Sequence, residues 1–318
     1  MTSRMAQEIA EIPAACARLG SGPTAKSITA AAEALRTTAP TVLITIGRGS
    51  SDHAATYLSY AFGIAAGLIP ASYPLSLASL YGQSPRSQGH AALAISQSGQ
   101  SPDIIAAATA IQEGGAALLV LTNTPDSPLA EVGGLTIDIA AGPERAVAAT
   151  KTFIVSIVAG LRVLALWQED RHLLRGLDQI PDALSDALTL PSADLTNLFA
   201  DTDRLMVLGR GPSLGIAQET ALKAMELCQM TAVAFSSAEV KHGPMQILNG
   251  AYPVLDLQRA DPLPGTRSVY PPGRPKLHPL IDPLLDLVPI YVALEAAARA
   301  RGLDPDAPAR LAKETITL

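Results

Sequence analysis

Short apolar runs rich in valine, isoleucine and leucine alternate along this chain with alanine-rich stretches of helical period. The first runs are VLITIG (42–47), AALAIS (91–96), ALLVLTN (117–123) and LTIDIA (135–140). Helical periodicity begins near Ser51 and again near Ser101. Apolar strands separated by helices are typical of a parallel sheet that is covered on both faces. We therefore predict an α/β chain of the doubly wound, flavodoxin-like type.

The same pattern begins a second time near Asp203. The stretch RLMVLGRGPSLGIAQET (204–220) repeats the order of VLITIGRGSSDHAATYL (42–58), with a strand, Gly-Arg-Gly and a helix. Such a repeat predicts two similar domains, each with a parallel sheet flanked by helices. The predicted parts are an N-terminal helical segment (1–35), a first domain (36–170), a helical connector (171–200) and a second domain with a C-terminal tail (201–318).

The second predicted domain is shorter than the first. After the strand YPVLDLQ (252–258), the first half leads us to expect a helix and another strand, but 260–279 is dense in proline and glycine. Either a strand–helix unit has been lost, or residues of the natural protein are missing from this chain. The sequence leaves both explanations open.

Composition and charge exclude several classes of protein. The 318 residues are 48% hydrophobic and 16% charged, which is typical of a globular chain with room for two cores. A net charge of -6 without a Lys/Arg run argues against a nucleic-acid partner. Cys16 and Cys228 lie far apart without metal-ligand spacing, which favours buried thiols in a reducing compartment. With no signal-like or membrane-spanning apolar run, we expect a cytoplasmic protein without a membrane partner.

Two strand-to-helix turns in the first half are rich in hydroxyl groups. IGRGSSD (46–52) carries Ser50 and Ser51, and ISQSGQS (95–101) follows the next long apolar run. Glycines, serines and helix N-termini together suit a phosphate monoester, whereas neither a P-loop nor a dinucleotide motif is present. The alternative is that the serines only cap helices and form turns. The number of hydroxyl groups in two turns favours a ligand.

Charged residues follow a helical spacing in IAQETALKAMELCQ (216–229). Glu219, Lys223 and Glu226 fall on one helix face, and SSAEVKHGP (236–244) adds a Glu-Lys-His group. The alternative is a solvated Glu–Lys stripe. The apolar surroundings favour acid–base chemistry, in which a carboxylate and an imidazole move protons and a lysine forms an imine or stabilises charge.

These motifs resemble the double-SIS-domain (sugar isomerase) family over nearly the whole chain. The resemblance is carried, in order, by GRGSSDHA, ISQSGQSPD, AGPERAVAATKTF, LGRGPSLGIAQETALKAMELC, AEVKHGP and PARLAK. It includes the isomerase part of glucosamine-6-phosphate synthase, but the glutaminase domain that precedes that part is not in this chain. The chain therefore resembles the stand-alone glucosamine-6-phosphate deaminases, and the expected reaction forms fructose 6-phosphate and ammonia.

The resemblance also implies a role for individual residues. It implies that the sugar phosphate is held by Ser50, Ser51, Ser96, Gln97, Ser98 and Ser101, and that the backbone at Val147 and Ala148 lines the sugar. Glu226 would move a proton between C2 and C1, and His242 would open the sugar ring from across a homodimer interface. Lys223 would stabilise enolate-type charge, while Lys313 would contact the open-chain sugar or form a Schiff base with it. No metal or redox cofactor is expected.

Three departures from the family pattern affect the choice of sugar. Gln100 stands where the family has glutamate, Ala149 stands where it has serine, and 308–311 reads Pro-Ala-Arg-Leu instead of Pro-Arg-Asn-Leu. The alternatives are a deaminase of galactosamine 6-phosphate, a deglycase of a fructosamine 6-phosphate, an ammonia-dependent synthase and a non-catalytic sugar-phosphate-binding regulator. Such regulators usually carry a basic helix-turn-helix, for which the first 40 residues are insufficiently cationic, so we favour an enzyme.

Overall fold

The computed structural model describes residues 2–273 and 275–313. These residues form two compact units, which we name after their sheets. The five-strand unit comprises residues 14–143 and 151–179, and the four-strand unit comprises residues 2–13, 144–150 and 180–313. The end of the predicted second domain, 314–318, lies outside the described residues. The domain boundaries expected from the sequence stay predictions.

Helices and strands alternate through most of the chain. The helices are α1 (Arg4–Ala10), α2 (Ile12–Arg18), α3 (Gly22–Thr38), α4 (Ser50–Ala66), α5 (Ser76–Ser79), α6 (Pro102–Glu113), α7 (Pro128–Glu131), α8 (Lys151–Trp167), α9 (Arg171–Ala187), α10 (Ala193–Asp201), α11 (Ser213–Cys228) and α12 (Asp282–Ala300). The strands are β1 (Val42–Ile46), β2 (Ile69–Ser72), β3 (Ala91–Ser96), β4 (Ala117–Thr122), β5 (Leu135–Asp138), β6 (Arg204–Gly209), β7 (Thr231–Ser236), β8 (Tyr252–Asp256) and β9 (Thr266–Val269). Two short 3₁₀ helices cover Glu239–His242 and Pro244–Ile247.

The sheet of the five-strand unit is parallel throughout, in the order β2-β1-β3-β4-β5. Every residue of β3 is buried, because helices cover both faces of the sheet. Ile44 of β1 and Ala92 of β3 pack on one face against α6, where Ile104 and Ile111 complete an apolar cluster. This sheet confirms the predicted α/β fold. It also contains β2, an edge strand that the apolar pattern did not predict.

The four-strand unit has a second parallel sheet, in the order β7-β6-β8-β9. Helix α11 packs on β6 and β7, and α12 packs on α11. The fold therefore contains two parallel sheets with flanking helices, as predicted. The repeated glycine has the same use in each: a Cβ on Gly47 would lie 2.9 Å from the Asp52 nitrogen, and one on Gly209 would lie 2.3 Å from the Ser213 oxygen. Both glycines let a helix begin directly against the end of a strand.

The proline- and glycine-rich stretch after β8 contains β9. This strand pairs in parallel with β8, and no helix is assigned in the fully described connection 257–265. The expected helix is therefore absent from this connection, while the expected strand is present. Among the described residues, no helix is long and apolar enough to cross a bilayer.

Candidate functional site

The predicted phosphate-binding residues lie at the point where the strand order of the five-strand unit reverses. Ser50 and Ser51 begin α4, directly after β1, and Ser96 ends β3. Because β1 and β3 are parallel neighbours, the turns that follow them leave the same edge of the sheet. Ligands of open α/β sheets bind at such a switch point, beyond the carboxyl ends of the strands. Gln97, Ser98 and Ser101 lie in the turn between β3 and α6.

Two of these serine hydroxyls form hydrogen bonds within the turn itself. The Ser96 hydroxyl accepts a hydrogen bond from the Gly99 amide at 3.1 Å, and the Ser98 hydroxyl accepts one from the Gln100 amide at 3.3 Å. Ser101 is the N-cap of α6, yet its side chain makes no capping hydrogen bond within the described chain. The turn therefore uses the hydroxyl oxygens of Ser96 and Ser98 as acceptors, while their protons and the Ser101 hydroxyl can serve a ligand.

Gly99 makes the second turn possible. Its φ of +64° lies in the left-handed region, and a Cβ there would lie 2.1 Å from the Ser127 hydroxyl oxygen. Neither the backbone conformation nor the space allows another residue type at low cost. The turn therefore packs directly against the Ser127 side chain at Gly99.

An ion pair joins the two turns. Arg48, between Gly47 and Gly49, donates from Nε to the Asp103 carboxylate Oδ2 at 2.6 Å, and its Nη2 contacts the same oxygen. The Asp103 side chain is only 2% exposed in the first turn of α6, whereas the Arg48 side chain is 53% exposed. A cation thus lies at the switch point, attached to the helix that Ser101 begins.

The charged face of α11 is buried in the four-strand unit. Lys223 lies 2.6 Å from Glu226 Oε2 and 3.5 Å from Glu219 Oε1, and the Lys223 and Glu219 side chains are 1% and 0% exposed. Only Glu226, with 19% of its side chain exposed, reaches the surface. The alternative of a solvated Glu–Lys stripe is therefore wrong, because α11 packs on both its sheet and α12.

Tyr291 of α12 completes this buried group. Its hydroxyl donates to Glu219 Oε1 at 3.1 Å. Burial first, and then the charges of Glu219, Glu144 and Glu226, raise the pKa of Tyr291 well above its ordinary value. Burial also disfavours the charged form of Lys223, but Glu219, Glu226 and Glu144 outweigh it and raise the pKa of Lys223. Lys223 is therefore an ammonium ion at neutral pH.

The segment 144–150 brings two further predicted groups together. The Lys313 ammonium donates to the Ala146 carbonyl at 2.7 Å and lies 3.4 Å from Glu144 Oε2. Glu144 Oε1 in turn accepts from the Thr150 amide at 3.0 Å, which closes the segment on itself. The predicted sugar-lining residues Val147 and Ala148 lie inside this closed segment. The structure thus places Lys313 beside the backbone that the resemblance assigns to the sugar.

The same segment is attached to both ends of the described chain. The buried Glu8 carboxylate of α1 accepts from the amides of Arg145 and Ala146. The Val147 amide donates to the Asp306 carbonyl at 3.2 Å. Three successive amides are therefore held by residues remote in sequence, which gives the segment a defined shape.

His242 lies apart from these groups. It ends the 3₁₀ helix Glu239–His242, in which Val240 is buried against Met206 and Leu208 while His242 is exposed. No described residue forms a hydrogen bond or an ion pair with its side chain. Of the four predicted catalytic residues, Lys223 contacts Glu226, Lys313 contacts the 144–150 segment, and His242 contacts none of them.

Sequence reasoning missed Arg48, Asp103, Glu144 and Tyr291 as members of these groups. Arg48, Asp103 and Glu144 lie inside motifs that were recognised, so charge within a glycine-rich turn was the available signal. Tyr291 had none, because its partner Glu219 is 72 positions away. No cluster of metal-ligating side chains occurs in the part of the chain that the structure describes.

Comparison with known proteins places this chain among sugar isomerases. The SIS domain model matches residues 41–165. The glutamine–fructose-6-phosphate aminotransferase (isomerizing) of Gloeobacter violaceus is 31% identical over 84% of this chain and 50% of its own length. The chain spans about half the length of the aminotransferases it matches. The prediction that the second half is also a SIS domain stays a prediction.

Solved structures share the fold over nearly the whole chain. A candidate phosphosugar isomerase of Silicibacter pomeroyi DSS-3 is 41% identical, with a TM-score of 0.88 over 96% of this chain and 100% of that one. The glucosamine-6-phosphate deaminase of Thermotoga maritima has a TM-score of 0.76 at 18% identity, over 93% and 100% of the two chains, and shows the fold alone. Because the Silicibacter pomeroyi protein is matched over its full length, the chain belongs to the SIS family of sugar-phosphate isomerases.

Proposed function

We propose that the protein is an isomerising deaminase of amino-sugar phosphates that converts glucosamine 6-phosphate and water into fructose 6-phosphate and ammonia. The observation that supports this most is the buried group of Glu219, Lys223 and Glu226. Burying three charges is costly unless they are paired, and a stable fold has little need of them. Only the Glu226 carboxylate reaches the surface, which suits a base that must contact a substrate.

The proposed reaction balances without a redox step. In the open-chain aldehyde, Glu226 takes the proton from C2, and the electrons of the C–H bond form an enolamine. Return of that proton to C1, with net transfer of one amine proton to the C1 oxygen, leaves an imine at C2. Water then adds to C2 and ammonia leaves, which gives the ketose. One carboxylate on one face of C1 and C2 is sufficient for the transfer.

Lys223 supports this reaction as a cation. Because its pKa is raised, Lys223 is charged at neutral pH, and its hydrogen bond orients the Glu226 carboxylate. A fixed ammonium ion near the enolamine stabilises negative charge that develops in the transition state. A neutral nucleophilic amine would need a lowered pKa, so we assign no Schiff base to Lys223.

The 144–150 segment supports a sugar site. Lys313 is held beside Ala146 by a 2.7 Å hydrogen bond, so a sugar lying along Val147 and Ala148 would meet its ammonium group. Ala148 and Ala149 donate no hydrogen bond to a described residue from their amides. These amides, with Lys313, could bind the hydroxyl groups of an open-chain sugar.

We also propose that His242 acts from a second copy of the chain. Its support is the exposed position of His242 on a turn anchored by Val240. Mixing Glu226→Gln protein with His242→Ala protein tests this, because a heterodimer would contain one site with both native residues. Partial recovery of activity after mixing is expected if each variant alone is inactive. No recovery, with subunit exchange verified by mass, would contradict a shared site.

The direct test of the function is a comparison of substrates. Purified protein is incubated with glucosamine 6-phosphate, galactosamine 6-phosphate and fructosamine 6-phosphate, and ammonia and ketose phosphate are both measured. Equal amounts of both products from glucosamine 6-phosphate are expected. Turnover of another sugar only would move the assignment to that substrate, and binding without any turnover would favour the regulator.

The role of Glu226 needs a matched control. Glu226→Gln keeps the size and the hydrogen bonding of the side chain but removes the base, so kcat should fall by about 10²- to 10⁴-fold. Glu113→Gln makes the same change at an exposed site in the last turn of α6 and should leave kcat unchanged. Full activity in Glu226→Gln would refute the proton transfer even with the substrate assignment intact.

A further inference from the structure

Arg48 belongs to neither the serine set nor the helix caps, yet its position is closely defined. Two of its nitrogens contact the same oxygen of Asp103, and the Nε hydrogen bond is 2.6 Å long. Arg48 lies in the turn after β1, while Asp103 lies two positions after Ser101 in α6. The guanidinium group therefore spans the two turns to which we assign the sugar phosphate.

Asp103 by itself opposes an anion at this position. Its carboxylate is 98% enclosed at the start of α6, near the helix N-terminus that would otherwise attract a phosphate. The Asp103 carboxylate interacts favourably with the helix dipole, but its negative charge repels a phosphate dianion bound a few residues away. Arg48 neutralises that carboxylate and keeps half of its own surface open to solvent.

We propose that Arg48 is a specificity residue for the phosphate group, because it cancels the charge of Asp103 and offers its remaining N–H groups to the phosphate dianion. This inference rests on the proposed function, since the ligand of the two turns is the phosphate of the sugar. Arginine suits this role because its guanidinium group can donate to a carboxylate and to a phosphate at the same time.

The Arg48–Asp103 pair could act by holding the two turns together or by balancing charge, and these two roles predict different effects on phosphate binding. If the pair only held α6 to the turn after β1, removal of either partner would loosen both turns, and both changes would weaken phosphate binding. If Arg48 acts by charge, removing Arg48 and removing the Asp103 charge change the phosphate affinity in opposite directions. Loss of Arg48 removes a positive charge from the side of the Asp103 carboxylate, whereas loss of the Asp103 charge releases a cation for the ligand.

The experiment measures binding of inorganic phosphate by titration calorimetry at low salt. We expect Arg48→Gln to weaken binding by about 10- to 100-fold, as for loss of one charge-assisted hydrogen bond. Asp103→Asn should bind phosphate at least as tightly as the wild type, and Arg48→Gln with Asp103→Asn should recover part of the loss. Arg86→Gln removes an exposed arginine of the same unit and should change nothing.

Each outcome separates this inference from the proposed function. Equal weakening by Arg48→Gln and Asp103→Asn, or unchanged binding in Arg48→Gln, would overturn the role of Arg48 while leaving the deaminase reaction intact. If the wild type neither binds phosphate nor turns over any amino-sugar phosphate, the proposed function fails first. Circular dichroism of each variant checks that it folds, and Arg48→Lys provides a second variant that keeps the charge without the two-nitrogen contact.

Discussion

Replacing Lys223 with methionine is the sharpest test of how the four-strand unit accommodates buried charge. Lys223 is 1% exposed and lies 3.5 Å from Glu219, whose side chain is 0% exposed. Methionine preserves most of the volume and the helix propensity, so the change removes mainly the positive charge. Breaking a buried ion pair by removing one partner costs about 3–5 kcal/mol, because an uncompensated charge stays behind.

The contacts around the two carboxylates place the expected loss near the lower end of that range. Glu226 can turn toward water, since 19% of its side chain is already exposed. Glu219 cannot, but it keeps the 3.1 Å hydrogen bond from Tyr291. We therefore expect Lys223→Met to lower the free energy of unfolding of the four-strand unit by about 3 kcal/mol at pH 8.

The loss of stability in Lys223→Met should be smaller at acidic pH. In the variant, protonation of the enclosed Glu219 carboxyl removes the negative charge that Lys223 no longer balances, and burial favours the neutral form. The penalty therefore decreases as the pH falls and protons bind. The difference between the variant and the wild type should thus be smaller at pH 5 than at pH 8.

Hydrogen exchange followed by mass spectrometry is the appropriate assay. Trp167, the single tryptophan, lies in the five-strand unit, so its fluorescence does not report on α11. Peptides covering α11 and α12 should exchange about a hundredfold faster in Lys223→Met, the equivalent of about 3 kcal/mol. Lys26→Met makes the same change at an exposed position of α3 and should leave exchange in both helices unaltered.

An unchanged exchange rate in α11 at pH 8 would refute this reasoning, because the carboxylates would not need Lys223. A loss that is equal at pH 5 and pH 8 would also refute it, since a packing defect would not depend on carboxyl protonation. Adding Glu219→Gln to Lys223→Met should recover part of the stability, and failure to do so would point to packing.

Three further changes have defined outcomes. Gly99→Ala should abolish phosphate binding measured by calorimetry, because its Cβ would lie 2.1 Å from the Ser127 hydroxyl oxygen at a φ of +64°. The raised pKa of Lys223 predicts a contribution to stability that is fully present below about pH 10 and is lost as the pH rises through the folded-state pKa. Urea unfolding should therefore show a smaller alkaline loss of stability in Lys223→Met. Burial raises the pKa of Cys16 to about 12 and that of Cys228 to about 11, so neither thiol should react with a disulfide reagent at pH 8 until the protein is unfolded.

The strands that are buried along their whole length were predictable from the sequence, whereas the edge strand β2 was not. β3 is buried along its whole length, and its continuous apolar run is visible in the sequence. β2 reads Ile-Pro-Ala-Ser and is mostly exposed, so it carries no apolar pattern. Its place in the sheet comes from backbone pairing with β1, which leaves little trace in the choice of side chains.

The candidate site likewise contains residues that could be predicted from the sequence and residues that could not. The turns around Ser50 and Ser96 were predictable because their glycines and serines act locally, within a few residues. The contacts of Glu8, Glu144 and Tyr291 depend on segments brought together by the fold, and Glu8 reaches residue 145 across 137 positions. The solvated alternative for Lys223 could be rejected only once α12 was seen to cover it, because helical spacing alone does not distinguish a buried face from an exposed one.

The short connection between β8 and β9 shows how polar contacts can replace a helix. Parallel neighbours usually need a crossover helix, which covers the sheet and satisfies its own backbone. Here the Asp256 carboxylate accepts from the amides of Gln258 at 2.8 Å and Ala260 at 3.3 Å. Arg259 donates to the carbonyls of Pro271 and Pro272 and to Asp286 of α12. Two prolines that follow β9 therefore supply carbonyls that hold the connection, so this stretch forms an ordered link between strands.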